Sequence, residues 1–345
     1  MEKNRGNNNF RYTVLLASSV FLLFISFVIS LCVGRYDISF IDCISVILKN
    51  DSSSVDNYKM ISNIIFRLRL PRTIAAMLIG ISLASSGSVY QSTFNNRLVS
   101  PDILGVSSGS CIGAALSIIV GFSSNTTVLF AFCSGIATVS IALLIPKLIH
   151  NTSNLTLILS GVVINSFSNS IIGLLKYIAD PQRQLSEITF WMMGSIAGVK
   201  LNELYYLVIS TSVCSFILLL LSWRINIISL GEENSKSLGV NFKRLRLIII
   251  IASTMLTAST VCVAGSIGWI GLIVPHISRF IVGEDNRKNL PLTITIGGIF
   301  MIIVDMLARS LSKNEIPLSI ITGFIGTPIY ILLLAKRGVK ENRQS

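Results

Sequence analysis

The sequence predicts an all-α polytopic membrane protein: about ten transmembrane helices, with both termini in the cytoplasm. Three observations carry that reading. Hydrophobic residues make up 52% of the 345 and charged residues only 13%, against about 25% charged in an average soluble domain. Ten apolar runs follow one another along the chain, each near the roughly 20 residues a helix needs to cross a bilayer. Lys and Arg concentrate on one side of the membrane once these runs are threaded through it. This composition, with a mean hydropathy of +0.73, excludes a disordered chain, a collagen-like chain and a cytosolic enzyme. It suits a chain whose surface faces lipid.

In order, the runs lie at 13–33, 72–93, 103–122, 127–146, 156–178, 204–222, 245–264, 267–282, 291–309 and 316–335. The first follows Lys3, Arg5 and Arg11 and so imitates a signal peptide. Its length and the lack of a small-x-small cleavage site favour a retained span. The run at 267–282 is the shortest and holds Pro275, His276 and Arg279. Between the first two runs, 34–66 reads as an outer loop carrying Asp51–Ser54, with room for a short helix. The 179–203 stretch, with Trp191, Met192 and Met193, reads as a loop lying at the interface. No low-complexity tail or separate soluble domain is visible, so residues 1–345 read as one transmembrane domain.

Ten spans put both ends on one side. With the termini inside, 17 of the 28 Lys and Arg are cytoplasmic, as the positive-inside rule prefers. The formal charge of +12 is therefore a topology signal, with no nucleic-acid partner implied. Arg67, Arg69, Arg72, Arg309 and Lys313 fall at outer helix ends against that trend.

Small residues recur every fourth position. Ala76, Gly80, Ala84, Ser88 and Ser92 form one stripe, and Gly105, Gly109 and Gly113 another. Such stripes let backbones approach closely in lipid, where helices lack a hydrophobic drive to associate. On the fifth run Asn165, Asn169 and Lys176 share a face, given 100° per residue, with Ser168 beside them. This stripe either lines an aqueous path or hydrogen-bonds between helices. Asp305 and Arg309 are four apart and share a face. Their pairing answers the cost of a buried acid, and a proton relay through Asp305 is the alternative.

The six cysteines show no C-x-x-C spacing, and five sit within apolar runs. They read as packing residues rather than metal ligands or disulfides. With only His150 and His276, a metal site or a His-dependent triad is poorly supplied. There is no G-x-x-x-x-G-K-[ST], no G-x-G-x-x-G and no H-E-x-x-H. Neither a catalytic group nor a cofactor site is expected, so the energy source is an ion gradient or another subunit.

Four motifs narrow the choice. The first is RLPRTIA from Arg69, followed by Gly80 and by QSTFNNRLVSPDILG from Gln91. The second is SLGEENSKSLGV, residues 229–240. The third is GWIGLIVPHISR from Gly268, with GEDNR from Gly283. The fourth is DMLAR from Asp305, with EIPLSIITGFIGTP from Glu315. Together, across 12–337, they resemble the FecCD-type permeases, membrane subunits of ABC importers for iron–siderophore complexes, haem and cobalamin.

The resemblance implies a ten-span subunit of the bacterial cytoplasmic membrane, dimeric with itself or with a similar permease. It implies cytoplasmic ABC ATPase subunits and an extracytoplasmic binding protein as partners. By the same resemblance, Arg69, Arg72 and Arg309 receive acidic residues of the binding protein. Gly231, Glu232, Leu238 and Gly239 belong to the segment that fits the ATPase. Asn165, Ser168 and Asn169 would line the path, with an inner gate near Asn151–Thr156. The glutamate–asparagine pair at 233–234 departs from the small residues usual in that segment. The competing readings are a proton- or sodium-driven carrier using Asp305, Lys176 or His276, and a membrane-embedded enzyme.

Overall fold

The computed structural model describes residues 2–36, 38–48, 55–151 and 153–341. Asp51–Ser54 of the expected outer loop and Thr152 of the expected gate lie outside the described residues, as does Arg343, one of the cations expected on the cytoplasmic side. All regular structure among the described residues is helical. The helices are α1 (Glu2–Cys32), α2 (Phe40–Ile47), α3 (Val55–Asn63), α4 (Leu70–Thr93), α5 (Val106–Val120), α6 (Ser124–Leu148), α7 (Asn154–Ile178), α8 (Gln184–Met193), α9 (Leu201–Leu220), α10 (Ser222–Ile228), α11 (Glu232–Ser237), α12 (Phe242–Ala264), α13 (Ile270–Val282), α14 (Asn286–Ser310) and α15 (Leu318–Glu341).

Each of the ten apolar runs carries a helix, but not all cross in the same way. Six stretches are long and apolar enough to span a membrane: Asn9–Cys32, Tyr58–Thr93, Ser124–Leu148, Asn154–Ile178, Phe242–Ala264 and Asn286–Ser310. A seventh is the pair α9 and α10, bent by 63°. The remaining three, α5, α13 and the apolar part of α15, are shorter.

The expected outer loop ends earlier than residue 66. Helix α3 runs through a stretch of wide π turns, Ile64–Arg69, directly into α4. The cause is Pro71, which has no N–H to donate and whose ring crowds the carbonyl four residues back. The Leu70 N–H accordingly reaches back five residues, to the Ile65 carbonyl. The 179–203 stretch likewise contains a helix, α8.

Helix α4 is the axis of the bundle, packed against α14, α12, α13 and α9. All but three residues from Pro71 to Thr93 are buried. Its small-residue stripe works as the spacing implies. A Cβ on Gly80 would overlap the Gly297 carbonyl of α14, and one on Gly297 would meet Ala84. Lower on the same helix a Cβ on Gly87 would overlap the Gly271 carbonyl of α13. Gly109 and Gly113 of α5 sit as tightly against α6.

The contact at Gly271 also explains why α13 is short. Gly271 lies against Leu83 and Pro101, so α13 begins halfway along α4. The chain descends from Gly265 to that point without helix, through Trp269 at φ +73°. From the other side the segment before α5 folds inward as far as Pro101. Irregular backbone is tolerated at this depth because protein, not lipid, surrounds it. Apolar clusters close the bundle, one of them joining α4, α13, α14 and the start of α15.

Gly87→Ala should lower the thermal unfolding midpoint of the purified protein, because a backbone carbonyl cannot swing aside. The expected cost is about 1–3 kcal/mol. Gly198→Ala, where nothing lies within 4 Å, should stay within about 0.5 kcal/mol of the parent.

Candidate functional site

The functional features fall at two poles of the bundle and on one open helix face. One pole gathers the C-termini of α1 and α14 and the start of α4. Here Arg72, Asp305, Arg309 and Glu315 form a charged knot. Arg72 donates from Nε to Asp305 Oδ1 at 2.7 Å and from Nη1 to Glu315 Oε1 at 2.7 Å. Arg309 Nε stands 3.5 Å from Asp305 Oδ2, and its Nη2 donates to the Ser30 carbonyl at 2.8 Å and hydroxyl at 2.5 Å. Arg69 donates to the carbonyls of Leu31, Cys32 and Tyr36. The carbonyls of Leu31 and Cys32 lie at the end of α1, where a helix has no partners of its own to offer.

This placement differs from the docking expectation. Arg69, Arg72 and Arg309 are 5%, 8% and 5% exposed, with their forks engaged inside the chain rather than offered at a rim. Asp305 is also held more closely by Arg72 than by its helix neighbour Arg309. Exposed cations near this pole include Arg35, Arg67 and Lys313.

The open face belongs to α7. Asn169 is exposed, and Asn165 and Lys176 are half-buried. Ser168 is not with them: at 3% exposure it belongs to the buried stripe of Leu157, Gly161, Ile172 and Leu175. The 100° step from Asn169 turns it into the bundle. Val163, Phe167 and Leu174, also more than half exposed, lie on the far side of α7, roughly 180° round from Asn165.

At the opposite pole, α10 leads into α11. Gly231, at φ +95°, supplies the left-handed turn between them, a conformation favoured by glycine. Gly239, at φ +74°, closes the segment the same way. Ser235 pins α11 down by donating to the Ile227 carbonyl at 3.0 Å and the Gly231 carbonyl at 2.6 Å. Glu232 pairs with Lys236 at 2.9 Å, one turn on, and that bond holds its carboxyl below the usual range. Leu230 and Leu238 flank the helix at 57% and 58% exposure. The four expected coupling residues thus come together on one small projecting element.

The sequence reading gave no structural role to two further residues. Arg279 is 8% exposed and bonds to Gln91 and to the Ser88 carbonyl, the latter at 2.9 Å. Asn226 joins α10 to the start of α14. A guanidinium within an apolar run is the one signal that pointed to Arg279; nothing in the spacing marked Asn226.

The model of the FecCD transport family matches residues 22–336. The chain belongs to that family. It is 41% identical over 329 residues to the molybdate import system permease protein MolB of Haemophilus influenzae, covering 94% of this chain and 96% of that one. A Helicobacter pylori protein described as a probable iron chelatin transport system permease is 36% identical over 298 residues, covering 86% and 90%. A solved metal-chelate type ABC transporter in an inward-facing conformation superposes with a TM-score of 0.85 at 39% identity, covering 94% of this chain and 99% of that one. This FecCD chain is accordingly a permease subunit of an ABC importer, a multi-pass protein of the cytoplasmic membrane. Permeases of this kind work as dimers with ATPase and binding-protein partners.

Asp305→Ala should destabilise this permease by about 3–5 kcal/mol, because it leaves Arg72 and Arg309 buried without their shared carboxylate. Glu315→Gln, at a side chain 31% exposed, should cost about 1 kcal/mol or less. Thermal unfolding of the two variants in detergent separates them.

Proposed function

We propose that this permease forms half of a dimeric pathway for an iron–siderophore or related metal chelate, within a single transmembrane domain driven by a separate ATPase. The observation that carries the reading is α11, a short projecting helix flanked by two exposed leucines. Leu230 and Leu238, exposed on either side of the Glu232–Lys236 pair, offer an apolar grip that a cleft on the ATPase would bury. With α11 inside, most Lys and Arg also lie inside, as does each terminus.

The opposite pole then faces the binding protein. Arg69, Arg72 and Arg309 hold its shape, and Arg35, Arg67 and Lys313 present charge to acidic residues of the partner. Rim charges of this kind set orientation and encounter rate more than affinity. The α7 face supports a dimer. Asn165, Asn169 and Lys176 facing lipid would be costly, whereas facing a second copy across an aqueous path they are solvated. The neutral amides there would touch a passing chelate only weakly, which favours release.

Uptake of a radiolabelled iron–siderophore complex by cells expressing the permease with its ATPase and binding protein should stop with vanadate. It should survive an uncoupler while ATP is maintained. An ion-driven carrier would do the reverse. The 41% identical molybdate permease favours molybdate as a second reading, and the same cells offered labelled molybdate decide between the two. Haem and cobalamin are the remaining cargoes to test. Leu238→Asp should weaken association with the ATPase subunit at least tenfold, read by co-purification, with the thermal midpoint unchanged because the side chain is exposed.

A further inference from the structure

A continuous line of polar contacts runs from α10, beside the coupling segment, to the middle of the bundle. It starts at Asn226, whose amide is bonded at both ends. The Nδ2 donates to Asp285 Oδ1 at 2.7 Å. The Oδ1 accepts from the Asn286 backbone N–H and from its Nδ2, both at 2.8 Å. Asn286, 2% exposed, accepts at Oδ1 from Ser92 of α4 at 3.1 Å. Ser92 in turn lies 3.3 Å from Arg279 Nη2 of α13. Arg279 bonds Gln91, and Gln91 donates to the carbonyls of Gly271 and Leu272 at 3.4 and 3.3 Å. Those carbonyls belong to the first turn of α13, at mid-depth.

Ile225 and Ile228 also anchor α10, in an apolar cluster. Apolar contact is non-directional and lets surfaces slide. Three hydrogen bonds to one amide fix both distance and angle, so α10 cannot tilt without carrying the start of α14 with it. Asp285 is the N-cap of α14, its side chain accepting from the Arg287 N–H. The link is therefore made to the end of a helix that packs along α4.

We propose that Asn226 is the positioning residue that carries displacement of α10 and α11 to α14, and through Ser92 and Arg279 to the first turn of α13. This rests on the reading of α11 as the element that the ATPase moves. It adds the route by which that movement reaches the centre.

The test uses the full permease assembled with its ATPase subunit in lipid nanodiscs, and needs no cargo. Hydrogen exchange is compared between the nucleotide-free and ATP–vanadate-trapped states. In the parent, peptides covering 222–237 and 271–292 should both respond. In Asn226→Ala the first response should persist and the second fall at least fivefold. Asn226→Asp should also lose the second, since two carboxylates then face each other. Combining Asn226→Asp with Asp285→Asn exchanges donor and acceptor, keeps a good N-cap and should restore the response to within twofold.

An intact second response in Asn226→Ala would overturn the proposal. So would loss of both responses together, which would make Asn226 a support of the local fold. Failure of the exchanged pair to recover, with the first response normal, would overturn it as well. If the parent bound no ATPase subunit, the assignment of α11 itself would fall.

Discussion

The close approach of backbones along α4 is the constraint on which the rest of this structure depends. In lipid, apolar side chains gain nothing by leaving one another's company for hydrocarbon tails. What holds the bundle is dispersion at short range and the satisfaction of polar groups. Gly80 against Gly297 and Gly87 against Gly271 bring α14 and α13 to within the width of a hydrogen atom side chain. Only at that separation can Ser88, Gln91 and Ser92 of α4 reach partners on the neighbouring helices. Close packing and polar bonding are one arrangement rather than two.

The same approach makes the broken helices possible. Helices α5 and α13 start inside the membrane, where an unpaired backbone group costs several kcal/mol, of order 4 or more. The turn before α5 is closed by Asp102, whose carboxylate accepts from the Ser107 N–H at 2.8 Å. The first turn of α13 is covered by Leu83, Pro101 and Gln91. Each break is wrapped by protein, so each keeps its shape without water. At the charged pole the logic repeats: Arg72 and Arg309 are held against one buried carboxylate, and Arg69 caps the end of α1.

Much of this was legible in the sequence, because the signals involved are local. Hydropathy located ten runs, and a helix occupies every one. Four-residue spacing of small side chains identified the tight faces of α4 and α5. Family-like motifs singled out the segment that became α11. Less legible was anything set by tertiary geometry. The charges of Arg69, Arg72 and Arg309 were visible, but a linear sequence cannot say whether a cation at a helix end turns out to solvent or in to a carboxylate 233 residues away. Ser168 is the sequence neighbour of Asn169, yet one 100° step is enough to turn it into the bundle. Pro71 was plain, yet the π turns it enforces extend the spanning helix back through a stretch that reads as loop. Asn226 gave no signal, since its partners at 285 and 286 are brought to it only by the 63° bend between α9 and α10.

That bend has a further consequence. A straight helix ending at the membrane surface would deliver any push along its own axis. The bend instead sets α10 against α14, so that under the coupling proposed above a push on α11 would meet the helix end from the side. A load of that kind on a helix packed as closely along α4 as α14 is would be taken up as tilt, since the core is too dense to deform continuously. Tilt of α14 moves its far end as well, and that end holds Asp305 and Arg309. The two poles of this permease are therefore joined by one rigid element, and the buried charges at the far pole set how stiffly that element is held.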